Sequence, residues 1–260
     1  MRAGLTVAIA VVLAGLLGYW GYEATESPAN QLFGKTVVSG PPGQRVVALT
    51  YDDGPNPPYT QRILDVLDRE HVHATFFVVG RAVAAYPSVV RREVRSGDEV
   101  GNHTWDHRHL IVMSAAQIRA TLDRTDAAVY AASGVHTHLM RPPFGSRDWL
   151  VLDQARKLGY ATVMWSVPLA RDWEYPPAAV IAGRILKYVR DGSIIVLHDG
   201  NRGILCAKVH AAARACDRSS DIEATRLIVE ALKAKGYRFV TVSELLRIRG
   251  AMHTPSPGSE

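Results

Sequence analysis

Short apolar runs alternate with longer amphipathic stretches between residues 45 and 248. The apolar runs have the length of buried strands, and the stretches between them show the helical spacing of apolar residues. The sequence predicts strands at residues 46–51, 74–79, 99–101, 138–140, 161–164, 194–197 and 238–240. It predicts helices at residues 60–69, 87–96, 115–132, 148–158, 177–189, 224–235 and 243–248.

This alternation is typical of an α/β fold in which right-handed crossovers join parallel strands. Seven such units within about 200 residues favour a closed or nearly closed (β/α) barrel. An open doubly wound sheet is the alternative, because periodicity alone does not show whether the sheet closes on itself.

The chain begins with an uncharged segment that matches a membrane span in length. Residues 3–22 carry no charge, and about 20 helical residues cover the roughly 30 Å hydrocarbon core of a bilayer. Arg2 lies on the N-terminal side, so the start is expected in the cytoplasm and the rest outside it. Tyr19, Trp20 and Tyr22 resemble an interfacial aromatic belt, which favours an uncleaved anchor. A cleaved signal peptide and a buried core helix are the alternatives.

The sequence therefore predicts four segments along the chain. Residues 1–22 form a signal anchor or signal peptide, 23–44 a polar linker, 45–248 the folded domain and 249–260 a disordered tail. The domain is expected outside the cytoplasm, anchored to the cell membrane and facing the wall, or secreted if the first segment is cleaved.

Composition narrows the class of protein further. With 260 residues, 47% of them hydrophobic and 21% charged, the chain is not disordered, collagen-like or a polytopic membrane protein. Two cysteines exclude a zinc site with four thiolate ligands. The net charge of +5 is spread without a basic arm, so no nucleic acid partner is expected. No obligate protein partner is inferred either.

Polar or aromatic residues follow five of the predicted strands. The carboxyl ends of parallel barrel strands face one mouth, so side chains at those ends are expected to share a single site. The residues in question are Asp52, Asp53, His103, Arg141, Trp165 and His198.

The first of these segments is TYDDGP, from Thr50 to Pro55. Neighbouring strand residues point to opposite faces, so two carboxylates can share a site only where the strand breaks. Gly54 and Pro55 supply that break. An ordinary Asx turn is the alternative interpretation of an Asp-Gly pair.

The second segment is HTWDH, with His103 and His107 at i and i+4. On one face of a helical turn, two imidazoles so spaced can hold one metal ion, and His109 could replace one of them. Two histidines and a carboxylate leave positions free for water and substrate, and Asp53 is the natural third ligand. Asp52 is then free to act as a general base.

Two further strand ends supply a cation and a candidate acid. Arg141 would hold the Asp52 carboxylate ionised and aimed, although it could instead pair with a surface acid. Two prolines stiffen the loop after it, so the backbone N–H of Phe144 could face an oxyanion. His198 suits a general acid that protonates a leaving amine, with a buried core histidine as the alternative. Leu197 would line a small apolar pocket.

In this order, the segments resemble the polysaccharide deacetylases with the nodulation-protein-B-like domain, carbohydrate esterase family four. TYDDGP matches the family's first motif, with Tyr51 where Phe is usual, HTWDH the second, RPPFG the third and the segment at Leu197 the fifth. The resemblance implies a deformed (β/α) barrel and removal of acetyl groups from N-acetylglucosamine polymers or, in some branches, acetylated xylan.

The resemblance also implies a role for individual residues. Asp52 is the base and His198 the acid, while Arg141 steadies the base and Asp172 orients the acid. The metal ligands are Asp53, His103 and His107, and the substrate-binding residues are Pro143, Phe144, Gly145, Trp173 and Leu197. Zn²⁺ is the expected metal, and Co²⁺, Ni²⁺ or Mn²⁺ would fit the same ligands.

The fourth motif departs from the family pattern. The segment WSVPLARDW places Pro168 where an acidic residue is usual and carries one extra residue before Asp172 and Trp173. The resemblance therefore defines the positions of Asp172 and Trp173 in the site less closely than those of the other motif residues.

A second departure is the Ala-rich insertion at residues 204–216, which carries Cys206 and Cys216. Ten residues of continuous helix would separate the two Cα atoms by about 15 Å, whereas a disulfide requires less than about 7 Å. An exported protein favours the disulfide, so the insertion is expected to turn back on itself. Unpaired cysteines are the alternative.

Three other functions compete with polysaccharide N-deacetylation. Phosphoryl transfer is disfavoured because the chain lacks an Asp-x-Asp pattern and a phosphate cradle. An O-acetyl esterase on acetylated xylan fits the family, and the altered fourth motif keeps an inactive sugar-binding relative open. The expected partner is an acetylated cell-wall glycan, such as peptidoglycan or a chitin-like oligomer, together with the membrane through the N-terminal segment.

Overall fold

The computed structural model describes residues 2–168, 170–206 and 216–251. In these ranges, seven parallel strands form one curled sheet in the order β5-β4-β3-β2-β1-β6, with β7 paired to β1. The strands are β1 Val46–Asp52, β2 Thr75–Val78, β3 Glu99–Asn102, β4 Leu139–Met140, β5 Ala161–Thr162, β6 Ile194–His198 and β7 Arg238–Phe239. Each overlaps a predicted strand, so the prediction of seven parallel strands is confirmed.

The helices cover the outside of the sheet and precede it at the N-terminus. They are α1 Arg2–Glu26, α2 Tyr59–Glu70, α3 Gly80–Ala85, α4 Pro87–Arg95, α5 Ala115–Ser133, α6 Trp149–Lys157, α7 Ala178–Leu186, α8 Ser219–Ala234 and α9 Val242–Ala251. Short 3₁₀ turns occur at Leu110–Val112, Pro143–Gly145 and Asp172–Glu174. The sequence did not predict α3, and α8 begins before the predicted residue 224.

Side-chain alternation along the strands divides the core into two layers. In β1, Leu49 and Tyr51 pack in the cluster under the helices, whereas Val46 and Ala48 belong to the cluster on the other face of the sheet. Both sets are almost completely buried. These near-continuous apolar runs are typical of parallel strands that are covered on both faces.

The register of the strands brings the predicted site residues to one end of the sheet. Asp52, the last residue of β1, is paired with His198, the last residue of β6. Asn102 at the end of β3 is paired with Met140 at the end of β4. His103 and Arg141 therefore leave adjacent strands at the same level.

A segment of the predicted linker spans the gap between the sheet edges. The backbone of Val37 forms a parallel bridge to Val163 beside β5, and Ser39 forms an antiparallel bridge to Ser193 beside β6. The N–H of Val37 donates to the carbonyl of Thr162 at 2.8 Å. Residues 37–39 thus join the two edges, and the nearly closed barrel expected from the sequence takes the form of a curled half-barrel.

The ends of the chain relate differently to the predictions. Among the residues that the structure describes, no helix is long and apolar enough to cross a membrane, so the N-terminal anchor is not confirmed. The predicted tail starts at residue 249, but α9 continues to Ala251. Residues 252–260, where the rest of the disordered tail was predicted, lie outside the described residues, as do residues 207–215 of the insertion.

Candidate active site

The chain leaves β1 through a turn that separates two buried aspartates. Asp52 is the last strand residue, and Asp53 follows with a φ of 80°. This left-handed conformation is one that Asp tolerates better than most residues, and it ends the strand alternation. Gly54 is required next, because an added Cβ would lie 2.0 Å from Oδ2 of Asp199. The predicted strand break is therefore present.

Asp199 and Thr60 support this turn from behind. The backbone N–H of Gly54 donates to Oδ1 of Asp199 at 3.1 Å, and the hydroxyl of Thr60 donates to Oδ2 at 2.5 Å. Burial raises the pKa of Asp199 to about 7, although the hydrogen bond from Thr60 opposes the shift. Asp199 directly follows His198 in the segment that matches the fifth motif, and no role for it was predicted from the sequence.

Asp53, His103 and His107 converge on one point. Nε2 of His107 lies 3.1 Å from Oδ1 of Asp53, and Nε2 of His103 lies 3.5 Å from the same oxygen. The three ligand atoms all lie within 4.8 Å of one another. Nδ1 of His103 is 2.7 Å from the carbonyl of Arg141, which assigns its proton to that side and leaves Nε2 free as a ligand.

The segment that carries the two histidines is a loop, so the predicted helical turn is wrong. Thr104 and His107 have φ values of 68° and 57°, which a right-handed helix does not allow. Oδ1 of Asn102 accepts from the N–H of Thr104 at 2.9 Å, and Oγ1 of Thr104 accepts from the N–H of His107 at 3.1 Å. These local hydrogen bonds compete with helix formation. His109 stacks on Phe144 and takes no part in the cluster.

The polar atoms of the cluster fit a divalent cation. Oδ1 of Asp53 is buried without a hydrogen-bond partner, and a buried carboxylate oxygen is costly to leave unsatisfied. Burial opposes ionisation of Asp53, but the imidazoles of His107 and His103 outweigh it and hold its pKa well below the ordinary value. Burial lowers the pKa of His107. A carboxylate with neutral imidazoles is a suitable ligand set for Zn²⁺ or a related ion.

Asp52 is held by a completely buried arginine. Nη1 of Arg141 donates to Oδ1 of Asp52 at 2.7 Å and to Oγ1 of Thr50 at 2.8 Å. The rest of the guanidinium donates to the carbonyls of Val163 at 3.3 Å and Met164 at 3.0 Å. Arg141 therefore pairs with Asp52 and not with a surface acid, and this buried ion pair is well supplied with hydrogen bonds.

His198 is held by a carboxylate on the other side of the cavity. Its Nδ1 lies 2.9 Å from Oδ2 of Asp172, and its backbone N–H donates to the same oxygen at 2.8 Å. Burial opposes the charged imidazole, but Asp172 outweighs it and raises the pKa of His198 to about 9. The imidazole is thus protonated at neutral pH, which is the state that a proton donor needs.

A cavity of about 280 Å³ lies between these groups. The lining residues are Tyr22, Glu26, Asp52, His103, His107, Phe144, Gly145, Trp165, Trp173, Val196, His198 and Arg202. Of the predicted substrate-binding residues, Phe144, Gly145 and Trp173 line it, whereas Pro143 is buried in the same turn. The prediction for Leu197 is corrected: its side chain packs in the cluster under the helices, and Val196 lines the cavity instead.

Comparison with known proteins agrees with the motifs. Residues 39–163 match the family model for polysaccharide deacetylases. A peptidoglycan-N-acetylglucosamine deacetylase from Bacillus cereus is 36% identical over 211 residues, which cover 80% of this chain and 92% of that protein. The chain belongs to the polysaccharide deacetylase family.

Other family members give the same result. A chitooligosaccharide deacetylase from a Bradyrhizobium species is 36% identical over 205 residues, which cover 78% of this chain and 91% of that protein. A solved structure of a peptidoglycan N-acetylglucosamine deacetylase is 31% identical, with a TM-score of 0.72 over 81% of this chain and 92% of that one. The curled half-barrel of parallel strands is consistent with the deformed barrel of this family.

The altered fourth motif of this polysaccharide deacetylase still brings its two predicted residues to the cavity. Asp172 is almost completely buried and contacts His198, as described above. The ring of Trp173 meets the imidazole of His198 edge-on, with centroids 5.5 Å apart. Pro168 and the extra residue are therefore accommodated before Asp172, and no acidic residue is needed at position 168 to hold His198.

Several residues near the site were missed by the sequence analysis. Arg218 and Asp221 lie buried behind Asp172, and Asp221 is in hydrogen-bond contact with it. Burial raises the pKa of Asp221 well above its ordinary value, which allows it to donate to the Asp172 carboxylate.

Three residues that line the cavity were also missed. Val196 could have been found from strand alternation. The signal for Tyr22 and Glu26 is weaker, a helical spacing of four residues far from every motif.

The predicted disulfide is present. Cys206 and Cys216 are bonded, with their Cα atoms 5.7 Å apart, within the distance that a disulfide requires. Nδ2 of the buried Asn56 donates to the carbonyl of Cys216 at 3.1 Å. The disulfide end of the insertion is thereby tied to the turn after β1.

Proposed function

We propose that this protein is a metal-dependent hydrolase that removes N-acetyl groups from N-acetylglucosamine-containing polysaccharide and releases acetate. The observation that carries the proposal is the convergence of three metal-ligating side chains, a carboxylate and a protonated imidazole at one small cavity. Both the named relatives and the family match support this class of activity.

Asp53, His103 and His107 would hold the metal ion, and we propose Zn²⁺ because a carboxylate with two imidazoles is a common catalytic zinc site. Co²⁺, Ni²⁺ and Mn²⁺ accept the same ligands. When bound, such an ion polarises a substrate carbonyl and lowers the pKa of a water molecule from 15.7 to about 7.

Asp52 is the proposed base that takes a proton from the attacking water. Nη1 of the buried Arg141 donates to Oδ1 of this carboxylate at 2.7 Å and so fixes its position. Phe144 has a φ of 61° in the turn beside the cavity, and its backbone N–H is proposed to donate to the oxyanion that forms as the water attacks.

His198 is the proposed acid. Its raised pKa of about 9 keeps it protonated at neutral pH, and Asp172 holds the ring by Nδ1 so that Nε2 carries the transferable proton. As the carbonyl carbon–nitrogen bond breaks, this proton passes to the sugar nitrogen. The products are acetate and a free amine, and Asp52 carries the proton lost by the water.

The substrate is proposed to be a cell-wall glycan, either peptidoglycan or a chitin-like oligomer. The relatives named above are peptidoglycan and chitooligosaccharide deacetylases. The uncharged residues 3–22 support a location outside the cytoplasm, at the membrane or secreted. O-deacetylation of xylan is the alternative activity of the same site.

Acetate release tests the proposal directly. The purified protein is incubated with chitooligosaccharides, peptidoglycan and acetylxylan, with and without a chelator, and acetate is measured enzymatically. We expect release from an N-acetylated substrate that the chelator abolishes and Zn²⁺ restores. Release from acetylxylan alone would replace N-deacetylation by ester hydrolysis, and no release from any of the three would support the inactive sugar-binding alternative.

Substitution of one proposed metal ligand tests whether the cluster binds the metal ion. His103→Ala should lose both bound metal, measured by elemental analysis, and acetate release. His136→Ala is the matched control, because His136 is exposed and pairs with Asp126 away from the cavity. Full metal content in His103→Ala would exclude the proposed ligand set.

A further inference from the structure

The last turn of α1 forms part of the cavity wall. Tyr22 and Glu26 line the cavity together with Asp52 and His198. Residues at i and i+4 lie on the same face of a helix, so a single turn presents both side chains. The family match begins at residue 39, so neither residue belongs to the shared motifs.

A buried arginine fixes the end of α1 at this position. The guanidinium of Arg147, which is 1% exposed, donates to the carbonyls of Ser27 at 2.8 Å, Pro28 at 3.3 Å and Asn30 at 2.6 Å. Its backbone N–H donates to the carbonyl of Thr25 at 2.9 Å. The last carbonyls of a helix lack partners within the helix. The backbone N–H of Arg147 satisfies that of Thr25 in α1, and its guanidinium holds the segment that directly follows the helix.

The turn of the third motif packs directly on the same helix end. An added Cβ at Gly145 would lie 3.4 Å from the carbonyl oxygen of Glu26. Gly145 also lines the cavity, next to Phe144. The helix end and the catalytic turn are therefore held together by backbone contact and by Arg147 two residues later.

The cavity is small, so the residues on its rim matter for binding of a longer substrate. Ligand pockets typically measure about 300–1,000 Å³, and this one measures about 280 Å³, so it has room for little more than one sugar. Further units of an oligosaccharide must extend over the rim. Tyr22 is 57% exposed and Trp173 is 36% exposed, which makes them the most exposed aromatic side chains of the described cavity lining.

We propose that Tyr22 and Glu26 form a subsite for the sugar unit next to the one being deacetylated, an inference that rests on the proposed N-deacetylase function. The ring of Tyr22 packs on the apolar face of the neighbouring pyranose, and the Glu26 carboxylate accepts hydrogen bonds from its hydroxyl groups. Binding of a longer chain then depends on the N-terminal helix as well as on the barrel.

The test compares a long sugar substrate with a substrate that has no sugar. kcat and KM are measured for N-acetylglucosamine pentasaccharide and for 4-nitrophenyl acetate, using the full chain and the variants Tyr22→Ala, Tyr22→Phe and Glu26→Gln. Tyr19→Ala is the control, because Tyr19 is 65% exposed on the same helix and does not line the cavity.

Tyr22→Ala should raise KM for the pentasaccharide about tenfold and leave kcat within about twofold, since stacking binds the ground state and transition state alike. The loss in kcat/KM on the ester should be at least about five times smaller. Tyr22→Phe keeps the ring and should restore the pentasaccharide KM to within about twofold of wild type. Glu26→Gln should raise the same KM about threefold, because a neutral acceptor forms weaker hydrogen bonds.

Two results would overturn the subsite. The pentasaccharide kinetics of Tyr22→Ala could match those of Tyr19→Ala, or Tyr22→Ala could lose equal activity on both substrates. If the wild-type protein deacetylates the pentasaccharide, either result rejects the subsite and leaves the proposed function standing. A wild type that releases no acetate from any N-acetylated sugar rejects the proposed function itself.

Discussion

On each side of the cavity, a buried charged residue holds a cavity-lining residue of opposite charge, and the two sides have these charges reversed. On one side Arg141 holds the carboxylate of Asp52, and on the other Asp172 holds the imidazole of His198. Both supporting residues are almost completely buried, while the residues that they hold reach the cavity. The guanidinium fixes the position of the Asp52 carboxylate, whereas the carboxylate of Asp172 favours the protonated imidazole and raises the pKa of His198 to about 9.

Because Arg141 and Asp172 have opposite charges, one small cavity can contain both the proposed base and the proposed acid at the same pH. Asp52 and His198 each have a partner of opposite charge in a separate segment, Arg141 directly after β4 and Asp172 in the 3₁₀ turn at Asp172–Glu174. We therefore expect the two sides to respond differently to substitution, to the leaving group and to pH.

The largest effect is expected on the base side. Asp52→Asn removes the proposed proton acceptor and should lower kcat for acetate release about 10³-fold. Bound metal, measured by elemental analysis, should remain at the wild-type level, since Asp53 and the two histidines are intact. A variant with the wild-type rate would show that Asp52 is not the base.

The acid side should depend on the leaving group. His198→Gln should lower kcat about 10²-fold on an N-acetylated oligosaccharide, because a departing amine needs a proton. A nitrophenolate leaves without one, so the loss on 4-nitrophenyl acetate should be less than about tenfold. Asp52→Asn should instead lose activity on both substrates, which separates the two sides.

The control for His198→Gln is another histidine paired with an aspartate. His136 contacts Asp126 at 2.7 Å on the surface, and His136→Gln should leave both activities unchanged. If His198→Gln lost equal activity on the amide and on the ester, the residue would have a role other than protonation of the leaving group.

The carboxylate of Asp172 should set the alkaline limit of activity through the pKa of His198. His198 donates a proton only below its pKa, so activity should fall as the pH rises through about 9. Asp172→Asn removes the anion that raises this pKa, and the alkaline limb should move down toward the ordinary histidine value of about 6.5. Profiles of kcat/KM between pH 6 and 10 measure the shift. An unchanged limb would assign it to another group.

The smallest effect is expected at the hydrogen bonds around Arg141. The buried hydroxyl of Thr50 accepts from Nη1 of Arg141 and donates to the carbonyl of Ile195 at 2.7 Å. Thr50→Val should lower the free energy of unfolding by about 1 kcal/mol. It should lower kcat less than about tenfold, because Asp52 stays paired with Arg141.

Thr125→Val is the matched control for this last prediction. The hydroxyl of Thr125 is equally buried and donates to the carbonyl of Thr121 at 2.8 Å within α5. It should lose similar stability, measured by urea denaturation, without a change in kcat. Equal kcat in the two variants would show that Thr50 contributes only to stability.

The elements of the barrel could be predicted because buried parallel strands have a strong signature. Apolar runs such as β1 and β6 lie between amphipathic helices, as is typical of parallel strands that are covered on both faces. The short α3 was missed because it has only six residues and follows β2 almost without a break. Closure could not be predicted, since residues 37–39 are bound by backbone bridges that carry no side-chain pattern.

The site was predictable in its residue types and less so in its geometry. His103 and His107 were predicted as metal ligands from the HTWDH segment and the family resemblance. Their loop depends on left-handed residues at Thr104 and His107, which have no sequence signature. Leu197 was misplaced although strand alternation argues against it, since it lies between Val196 and His198, which both line the cavity. Tyr22 could not be placed because its position depends on Arg147, far along the chain.

The backbone bridges at Val37 and Ser39 also limit where the chain can be shortened. A version that begins at residue 45, where the apolar pattern starts, would leave the edges beside β5 and β6 without their connecting segment and expose their backbone groups to water or to other chains. The shortest fragment suited to crystallisation should therefore begin upstream of Val37.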